Sequence, residues 1–274
     1  MADQLNQFSW TGAVSGYRVL PLKSQGEHAE RPYLTSAVPI GRRYEGFTYT
    51  PSAGLFIKLA QLKPEQDQIL EFANQYGMLT GGVWLDLDGV DVYGEPLELW
   101  TAAIADLSVA HGLWDLLKSG ATSKLGQYIK WRDASGVRFA YADRRGGRWI
   151  ATRETNLDLL QTFRPGDLIG PAWHQLQYMV NEKLEGAVSA RLLWNSSHTR
   201  LGLYQVPNDL ISALWLQFAR ALDGDREYVQ CEECRNWFEV SSPDGGRKDK
   251  RFCGTACRAR FWRKLKKGEK GDKE

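Results

Sequence analysis

The sequence lacks any run of about eighteen consecutive apolar residues, the length that a helix needs to cross a lipid bilayer. Residues 1–6 also lack a positive segment followed by an apolar stretch, so they are not predicted to form a secretory signal. Internal repeats and long low-complexity tracts are missing as well. These absences predict a cytoplasmic protein that does not bind a membrane.

Motifs that carry catalytic chemistry are missing too. The sequence has no Gly-x-Ser-x-Gly elbow, no Walker phosphate loop, no dinucleotide-binding fingerprint and no His-Glu-x-x-His motif. Its four histidines are scattered, and His111 falls on the apolar stripe of a predicted helix. We therefore predict that the protein is not an enzyme. An enzyme with a pocket in the N-terminal part stays an alternative, because a fold can pair carboxylates that no motif reveals.

One acidic segment resembles a known catalytic motif. Trp84-Leu85-Asp86-Leu87-Asp88-Gly89 resembles the Asp-x-Asp-Gly motif of haloacid-dehalogenase-type phosphatases, in which the first Asp attacks phosphorus. That fold needs further parallel strands, whereas the elements predicted after this segment are helical. The segment also fails as a calcium loop, because Leu97 stands where a bidentate Glu is needed. An acidic loop before a helix is the expected structure.

Residues 1–225 show mainly helical periodicity. Apolar residues at helical spacing predict helices over residues 64–76, Leu97–Lys118, 173–184 and 208–222, the last with Asn208 as N-cap. Strands are predicted at Tyr17–Leu22, at 200–206, and as a hairpin of residues 137–142 and Arg148–Thr152. Arg144, Arg145 and Arg148 make the hairpin tip basic. The expected fold class is α+β, with a mainly helical body that carries a small β-hairpin.

The net charge of the chain is small but unevenly distributed. All 274 residues together carry +2. Residues 226–274 hold 14 Lys or Arg against 9 Asp or Glu, a net of +5, which leaves residues 1–225 at −3. Residues 247–267 hold 10 basic residues and one acid, Asp249. A basic tail on a mildly acidic body predicts a polyanionic partner, with a merely solvated terminus as the alternative.

The four cysteines form two closely spaced pairs, Cys231-x2-Cys234 and Cys253-x3-Cys257, separated by eighteen residues. Two such pairs supply the four tetrahedral thiolates that zinc prefers, and in a reducing location they are metal ligands rather than disulfides. A redox role for the first pair is disfavoured because the second pair is present. We therefore predict one structural Zn²⁺ bound by Cys231, Cys234, Cys253 and Cys257. Four thiolates leave no open coordination position, so the ion is expected to stabilise a fold.

Residues 226–274 are predicted to form a treble-clef or zinc-ribbon-like module. A strand at residues 237–240 leads into a Ser- and Gly-rich turn, Phe252-Cys253 returns as a second strand, and Cys257 lies in the first turn of a closing helix. On that helix, Cys257, Phe261 and Leu265 recur every fourth residue and mark the expected inward face. The other positions are strongly basic, a pattern suited to a phosphate backbone. The predicted nucleic-acid contacts are Arg247, Lys248, Lys250, Arg251, Arg258, Arg260, Trp262, Arg263, Lys264 and Lys267.

This arrangement of a leading helix, a cysteine pair, an aromatic residue, a Ser-rich turn and a Cys-Arg helix resembles the CGNR-type zinc fingers of bacterial regulators with an ABATE domain. The resemblance covers about the last seventy residues. Cys257-Arg258-Ala259-Arg260 stands where that family has Cys-Gly-Asn-Arg, and the gap between Cys253 and Cys257 is one residue shorter. The resemblance implies a DNA-binding transcription regulator whose larger domain senses a ligand or a partner.

Two functions therefore follow as hypotheses. The first is a zinc-dependent, DNA-binding regulator in which residues 1–225 sense or dimerise and residues 226–274 bind DNA. The second is a protein-interaction subunit of a larger assembly, in stress or phage defence, with the zinc module as its docking element. A protein partner or a homodimer is compatible with either hypothesis.

Overall fold

The structure is a computed structural model that describes residues 10–22, 30–37, 46–49, 52–87, 90–140, 147–194, 199–224, 226–240 and 249–271. It contains two compact units. The first unit comprises Met1–Leu107 together with Gly186–Glu274, and the second comprises Ser108–Glu185. The proposed division into a sensor or interaction domain (1–225) and a zinc domain (226–274) stays a prediction about function.

The described residues form seven α-helices and thirteen strands. The helices are α1 Leu55–Ala60, α2 Gln66–Tyr76, α3 Leu97–Lys118, α4 Leu157–Thr162, α5 Ile169–Leu184, α6 Leu210–Asp223 and α7 Thr255–Gly271. The strands are β1 Trp10–Ala13, β2 Tyr17–Leu22, β3 Arg31–Ser36, β4 Gly46–Tyr49, β5 Val83–Leu87, β6 Val90–Pro96, β7 Ile129–Asp133, β8 Gly136–Phe139, β9 Arg148–Thr152, β10 Val188–Trp194, β11 Leu201–Pro207, β12 Tyr228–Gln230 and β13 Trp237–Glu239. Within these ranges, no helix has both the length and the apolarity that a membrane crossing needs.

The first unit combines antiparallel sheets with helices α1, α2, α6 and α7 and the first part of α3, up to Leu107. Its largest sheet in the described residues has four strands in the order β2-β3-β6-β5, and β1–β4, β10–β11 and β12–β13 form two-stranded sheets. Fully buried aromatic side chains fill the core between the helices: Phe56, Phe72, Trp100, Trp215 and Phe218. The α+β class is thereby confirmed, with much more β-structure in the body than one small hairpin.

Helix α6 is apolar over most of its circumference, and its burial follows that pattern. Trp215 and Phe218 are buried, and the Phe218 ring lies 5.4 Å from the ring of Phe56 in α1. The predicted helix is confirmed, but its N-cap is wrong by one residue. Asp209, not Asn208, caps the helix, because its side chain accepts a hydrogen bond of 2.9 Å from the Ser212 amide.

The acidic segment after Val83 also differs from expectation. It is not a loop before a helix, since Val83–Leu87 is strand β5 and pairs antiparallel with β6. Asp88 and Gly89 lie outside the described residues. The antiparallel neighbour is a further departure from the parallel sheet that the phosphatase motif requires.

Glu95, in β6, joins the start of α3 to the turn that follows α2. Its carboxylate is completely buried and accepts hydrogen bonds from the Leu79 amide (2.9 Å), the Thr80 amide and hydroxyl, and the Trp100 indole N–H (3.0 Å). Burial raises the pKa of Glu95 to about 7, although each of these hydrogen bonds acts to lower it. A single carboxylate therefore satisfies donors from three residues in two chain segments inside the core.

The second unit is built on the three-stranded antiparallel sheet β7-β8-β9. The predicted hairpin is confirmed as β8 and β9, while residues 141–146 at its tip, with Arg144 and Arg145, lie outside the described residues. Helix α5 packs against one face of the sheet, where the Arg148 guanidinium carbon lies 3.5 Å from the ring centre of Tyr178. The sheet face against which α5 packs carries the buried side chains of Ile129, Val137 and Phe139.

The β10–β11 hairpin carries an apolar exposed face. Leu192 lies opposite Leu203, and Trp194 lies opposite Leu201, so the four side chains share one side of the ribbon. They are between 48% and 66% exposed. A two-stranded ribbon is marginally stable by itself, and a clustered apolar face of this kind is typical of an interaction surface.

We predict that Glu95→Gln lowers the free energy of unfolding by about 2 kcal/mol. The NH2 group of glutamine replaces a carboxylate oxygen that accepts hydrogen bonds, so at least one donor that now bonds to Glu95 loses its acceptor. The loss should be larger at pH 5 than at pH 8. The pKa of Glu95 is raised from 4.5 to about 7 on folding, so wild-type stability falls as pH rises through this window, whereas the variant does not titrate there.

Urea unfolding followed by circular dichroism at both pH values measures these differences. Glu98→Gln is the matched control, since Glu98 is exposed and its ion pair with Arg31 (3.2 Å) should contribute less than about 1 kcal/mol. An equal loss for Glu95→Gln at pH 5 and pH 8 would contradict the raised pKa.

Candidate metal centre and basic helix

The first cysteine pair lies in the loop of the β12–β13 hairpin. The Cys231 amide donates to the Asn236 carbonyl (2.9 Å), and the Arg235 amide donates to the Cys231 carbonyl (2.9 Å). Arg235 has a left-handed φ of 59°, which closes the turn after Cys234. The predicted pairing of the strand near Trp237 with Phe252-Cys253 is wrong, since β13 pairs with β12 and residues 252–254 are bends. The hairpin thus folds around the first pair alone.

The second pair lies at the start of α7. Cys253 precedes the helix by two residues, and Cys257 is in its first turn, as predicted. The Glu232 amide donates to the Arg251 carbonyl (3.1 Å), and the Cys253 amide points at the Cys231 sulfur at 3.5 Å. These two contacts bring the helix start to the hairpin loop.

The four sulfur atoms form one cluster. All lie within 4.8 Å of one another, with 3.7 Å between the Sγ atoms of Cys234 and Cys253 and 3.5 Å between those of Cys253 and Cys257. Four thiolates around a tetrahedral ion with metal–sulfur bonds of about 2.3 Å are about 3.8 Å apart. The sulfurs are too far apart for disulfides, which have S–S bonds of about 2 Å. The residues present therefore fit a bound metal ion.

The local environment shifts the pKa values of the Cys231, Cys234 and Cys253 thiols in different directions. Burial raises the pKa of Cys231, but backbone N–H groups of Cys234, Cys253 and Glu233 outweigh it and bring the pKa to about 6. Burial and the neighbouring sulfurs raise the pKa of Cys253, and burial raises that of Cys234. One thiolate therefore forms readily, and a bound metal ion would favour loss of the protons from the other thiols.

A small apolar cluster supports the cysteines. Cys231 and Cys257 are buried with Phe238, Val240 and Phe252, and Phe261 packs against them with its ring 5.0 Å from that of Phe252. The predicted inward face of α7 is confirmed at Cys257 and Phe261. It is wrong at Leu265, which is exposed, because the helix has by then passed the end of the hairpin cluster.

Two acids inside the first cysteine pair bind cations of the basic segment. Glu232 receives both guanidinium donors of Arg251, at 2.5 and 2.6 Å. Glu233, whose side chain is only 7% exposed, lies 2.8 Å from the Lys264 ammonium and 4.0 Å from Arg260. Arg260 also donates to the Cys257 sulfur at 3.1 Å. Three of the predicted nucleic-acid contacts therefore have partners within the module.

Sequence reasoning missed Glu232 and Glu233 as anchors for the helix. The available signal was their position between two ligands, since a Cys-Glu-Glu-Cys loop fixes both carboxylates close to any helix that carries the second ligand pair. Counting charges along the segment did not distinguish cations with a partner from outward-facing ones.

The remaining predicted contacts are placed as follows. Arg258 and Trp262, four residues apart on α7, are exposed, Trp262 by 51%, and Arg263 is exposed with its Nε donating to the Ala259 carbonyl. The Lys250 ammonium lies 5.3 Å from the Phe238 ring centre. Lys267 is in α7, but its side chain is outside the description, as are Arg247 and Lys248 entirely.

The β12–β13 hairpin packs against α1 within the first unit. Tyr228 of β12 meets the Phe56 ring edge-on at 5.4 Å. Gly54, at the start of α1, has a φ of 87°, and a Cβ there would lie 2.9 Å from the Trp237 Cβ. Glycine is therefore required both by the backbone and by the close approach of β13. This contact fixes the orientation of the β12–β13 hairpin, which carries the first cysteine pair, relative to α1.

Comparison with protein-family models, with curated proteins and with solved structures gives no match to this chain. The resemblance to CGNR-type zinc fingers therefore rests on the sequence motif alone.

We predict that Cys257→Ser abolishes retention of one metal ion per chain during dialysis, because the hydroxyl does not replace the thiolate ligand. Elemental analysis by mass spectrometry measures the metal-to-protein ratio. Thr255→Ser, in the same turn, is the matched control and should keep the ion. Retention should also weaken in acid, since the thiols must lose protons to bind. An unchanged metal ratio in Cys257→Ser would exclude this site.

Proposed function

We propose that the chain is a cytoplasmic, zinc-binding regulator of the bacterial type that binds DNA through α7, with residues 1–225 sensing a ligand or a partner. The observation that carries the proposal is the orientation of α7. One side of the helix is held by the cysteine cluster and Glu233, while Arg258, Trp262 and Arg263 are exposed. An anchored helix with exposed cations can dock on a phosphate backbone as a rigid element.

Zinc is the ion that best suits the cluster. Four cysteine sulfurs at tetrahedral spacing are the ligand set of structural zinc sites, whereas magnesium and calcium take oxygen ligands. A knuckle followed by a ligand pair at a helix start supports a treble-clef assignment. A bound ion would neutralise the thiolate charge and cross-link the hairpin loop to the start of α7. The side chains of the protein, and not the ion, would contact the DNA.

The role proposed for each basic residue depends on whether it contacts an acidic side chain of the same module. Arg260, Lys264 and Arg251 hold the module together through Glu233 and Glu232. Arg258 and Arg263 are the proposed phosphate contacts, and Trp262 beside them is available to pack on a sugar or a base. Arg247, Lys248, Lys250 and Lys267 remain proposed contacts that extend the same surface.

A sensing role for the N-terminal part is supported by packing. The β12–β13 hairpin rests on α1, and α1 packs on α6 through Phe56 and Phe218. A ligand or partner that shifts α1 or α6 would change the orientation of the hairpin that carries the first cysteine pair, because this hairpin contacts α1 directly.

We predict that the protein binds duplex DNA with a steep salt dependence, and that Arg258→Ala/Arg263→Ala lowers the slope of log K against log salt by roughly 2, at about 0.9 per lost phosphate contact. The matched control is Arg251→Ala/Lys264→Ala, which changes the net charge equally but removes cations that already face acids. Fluorescence anisotropy across a salt series gives the slopes. Absence of binding at low salt, or equal slopes for the two double variants, would overturn the proposal.

The exposed β10–β11 face supports a second candidate function, a protein-interaction subunit of a larger assembly. Leu192, Leu203, Leu201 and Trp194 form an apolar surface that a protein partner or a second copy would cover. This candidate does not require α7 to bind nucleic acid.

For this candidate we predict that the protein runs in light-scattering chromatography of nuclease-treated lysate as a complex larger than its own 31.0 kDa, and that Leu203→Glu returns it to the monomer mass. Gln205→Glu, two residues along the same strand, is the matched control and should leave the complex intact. A monomer mass for the wild type would count against this candidate.

A further inference from the structure

A side-chain cation lies directly against the cysteine cluster. The Arg260 guanidinium donates a hydrogen bond of 3.1 Å from Nη2 to the Cys257 sulfur. Arg260 follows Cys257 by three positions on α7, and residues at this spacing are neighbours on one face of a helix. Helix α7 therefore supplies both a candidate metal ligand and a positive charge that contacts it.

The guanidinium is also held from the hairpin loop. Glu233, between the two cysteines of the first pair, has a side chain that is only 7% exposed, and its carboxylate lies 4.0 Å from Arg260 Nε. The Lys264 ammonium lies 2.8 Å from the same carboxylate. A nearly buried carboxylate needs cationic partners, so Glu233 keeps the Arg260 side chain where α7 meets the loop. Arg260 thereby contacts both halves of the ligand set.

Four thiolate ligands carry more negative charge than a divalent ion neutralises. The excess charge is concentrated, since the sulfurs of Cys253 and Cys257 are 3.5 Å apart. An arginine side chain stays charged at every pH at which proteins fold, so Arg260 offsets part of this excess whenever the thiolates bind an ion. Groups that hydrogen-bond to metal ligands in this way change metal affinity by about 10- to 100-fold.

We propose that Arg260 is a positioning residue of the metal centre, whose guanidinium orients the Cys257 sulfur and raises the affinity for a divalent metal ion by roughly tenfold. The effect lies at the lower end of the range for such residues, because the Arg260 side chain is 54% exposed and water weakens its charge. The inference rests on the proposed metal site and not on DNA binding by α7. Arg260 therefore acts on the ion and not on a phosphate.

The test is a competition titration, in which the full chain loaded with Co²⁺ is titrated with a chelator of known cobalt affinity. Arg260→Gln should lower the cobalt affinity roughly tenfold, because glutamine is neutral. Arg260→Lys, which keeps a positive charge at this position, should recover most of that loss. Before the chelator is added, the cobalt–thiolate absorption and the circular dichroism should be the same for all variants. These two readouts would change if Arg260 only stabilised the fold.

Lys264→Gln is the matched control. It removes the same charge from the same carboxylate, but Lys264 lies seven residues beyond Cys257, about 10 Å along the helix axis. The cobalt affinity of this variant should differ from that of the wild type by less than about twofold. The proposal is overturned if Arg260→Gln binds cobalt as tightly as the wild type, if Lys264→Gln weakens binding equally, or if Arg260→Lys recovers nothing. A wild-type chain that takes up no cobalt would overturn it together with the metal site, whereas a failure of duplex binding by α7 would produce none of these results.

Discussion

The C-terminal part of the molecule depends on the crowding of four sulfur atoms within 4.8 Å. Such a cluster is unstable without compensation, since deprotonating one thiol raises the cost of deprotonating the next. Backbone N–H groups around Cys231 and the Arg260 guanidinium beside Cys257 compensate part of this charge. A bound metal ion would compensate the charge of further thiolates and would cross-link a segment whose apolar cluster around Phe238 and Phe252 is small.

The same constraint separates the basic residues into two groups. Cations that face Glu232 and Glu233 are part of the module's internal structure, whereas Arg258 and Arg263 face outward. A charge total over residues 247–267 treats these groups alike. Position relative to the acidic loop, rather than charge count, decides which side chains a polyanion can reach.

Much of the fold was predictable wherever the pattern was local. The α3 and α6 helices, the β8–β9 hairpin and the cysteine pairs follow from periodicity, turn residues and ligand spacing. The errors arise where the local pattern does not set the partner of a segment. The β12–β13 pairing closes a short hairpin around Cys231 and Cys234 in place of the expected return of Phe252-Cys253, and the buried Glu95 carboxylate accepts from residues 79, 80 and 100, which lie on both sides of it along the chain.

The close approach of Trp237 to Gly54 has a consequence for the thermodynamics of the whole first unit. Tyr228, held by the hairpin of the cysteine module, covers Phe56, which in turn packs on Phe218 in α6. Binding of a metal ion at the cysteine cluster would therefore be linked to the packing of α1, and each equilibrium would shift the other by the same free energy. A ligand that orders α1 would then strengthen metal binding, and loss of the ion would loosen the N-terminal core.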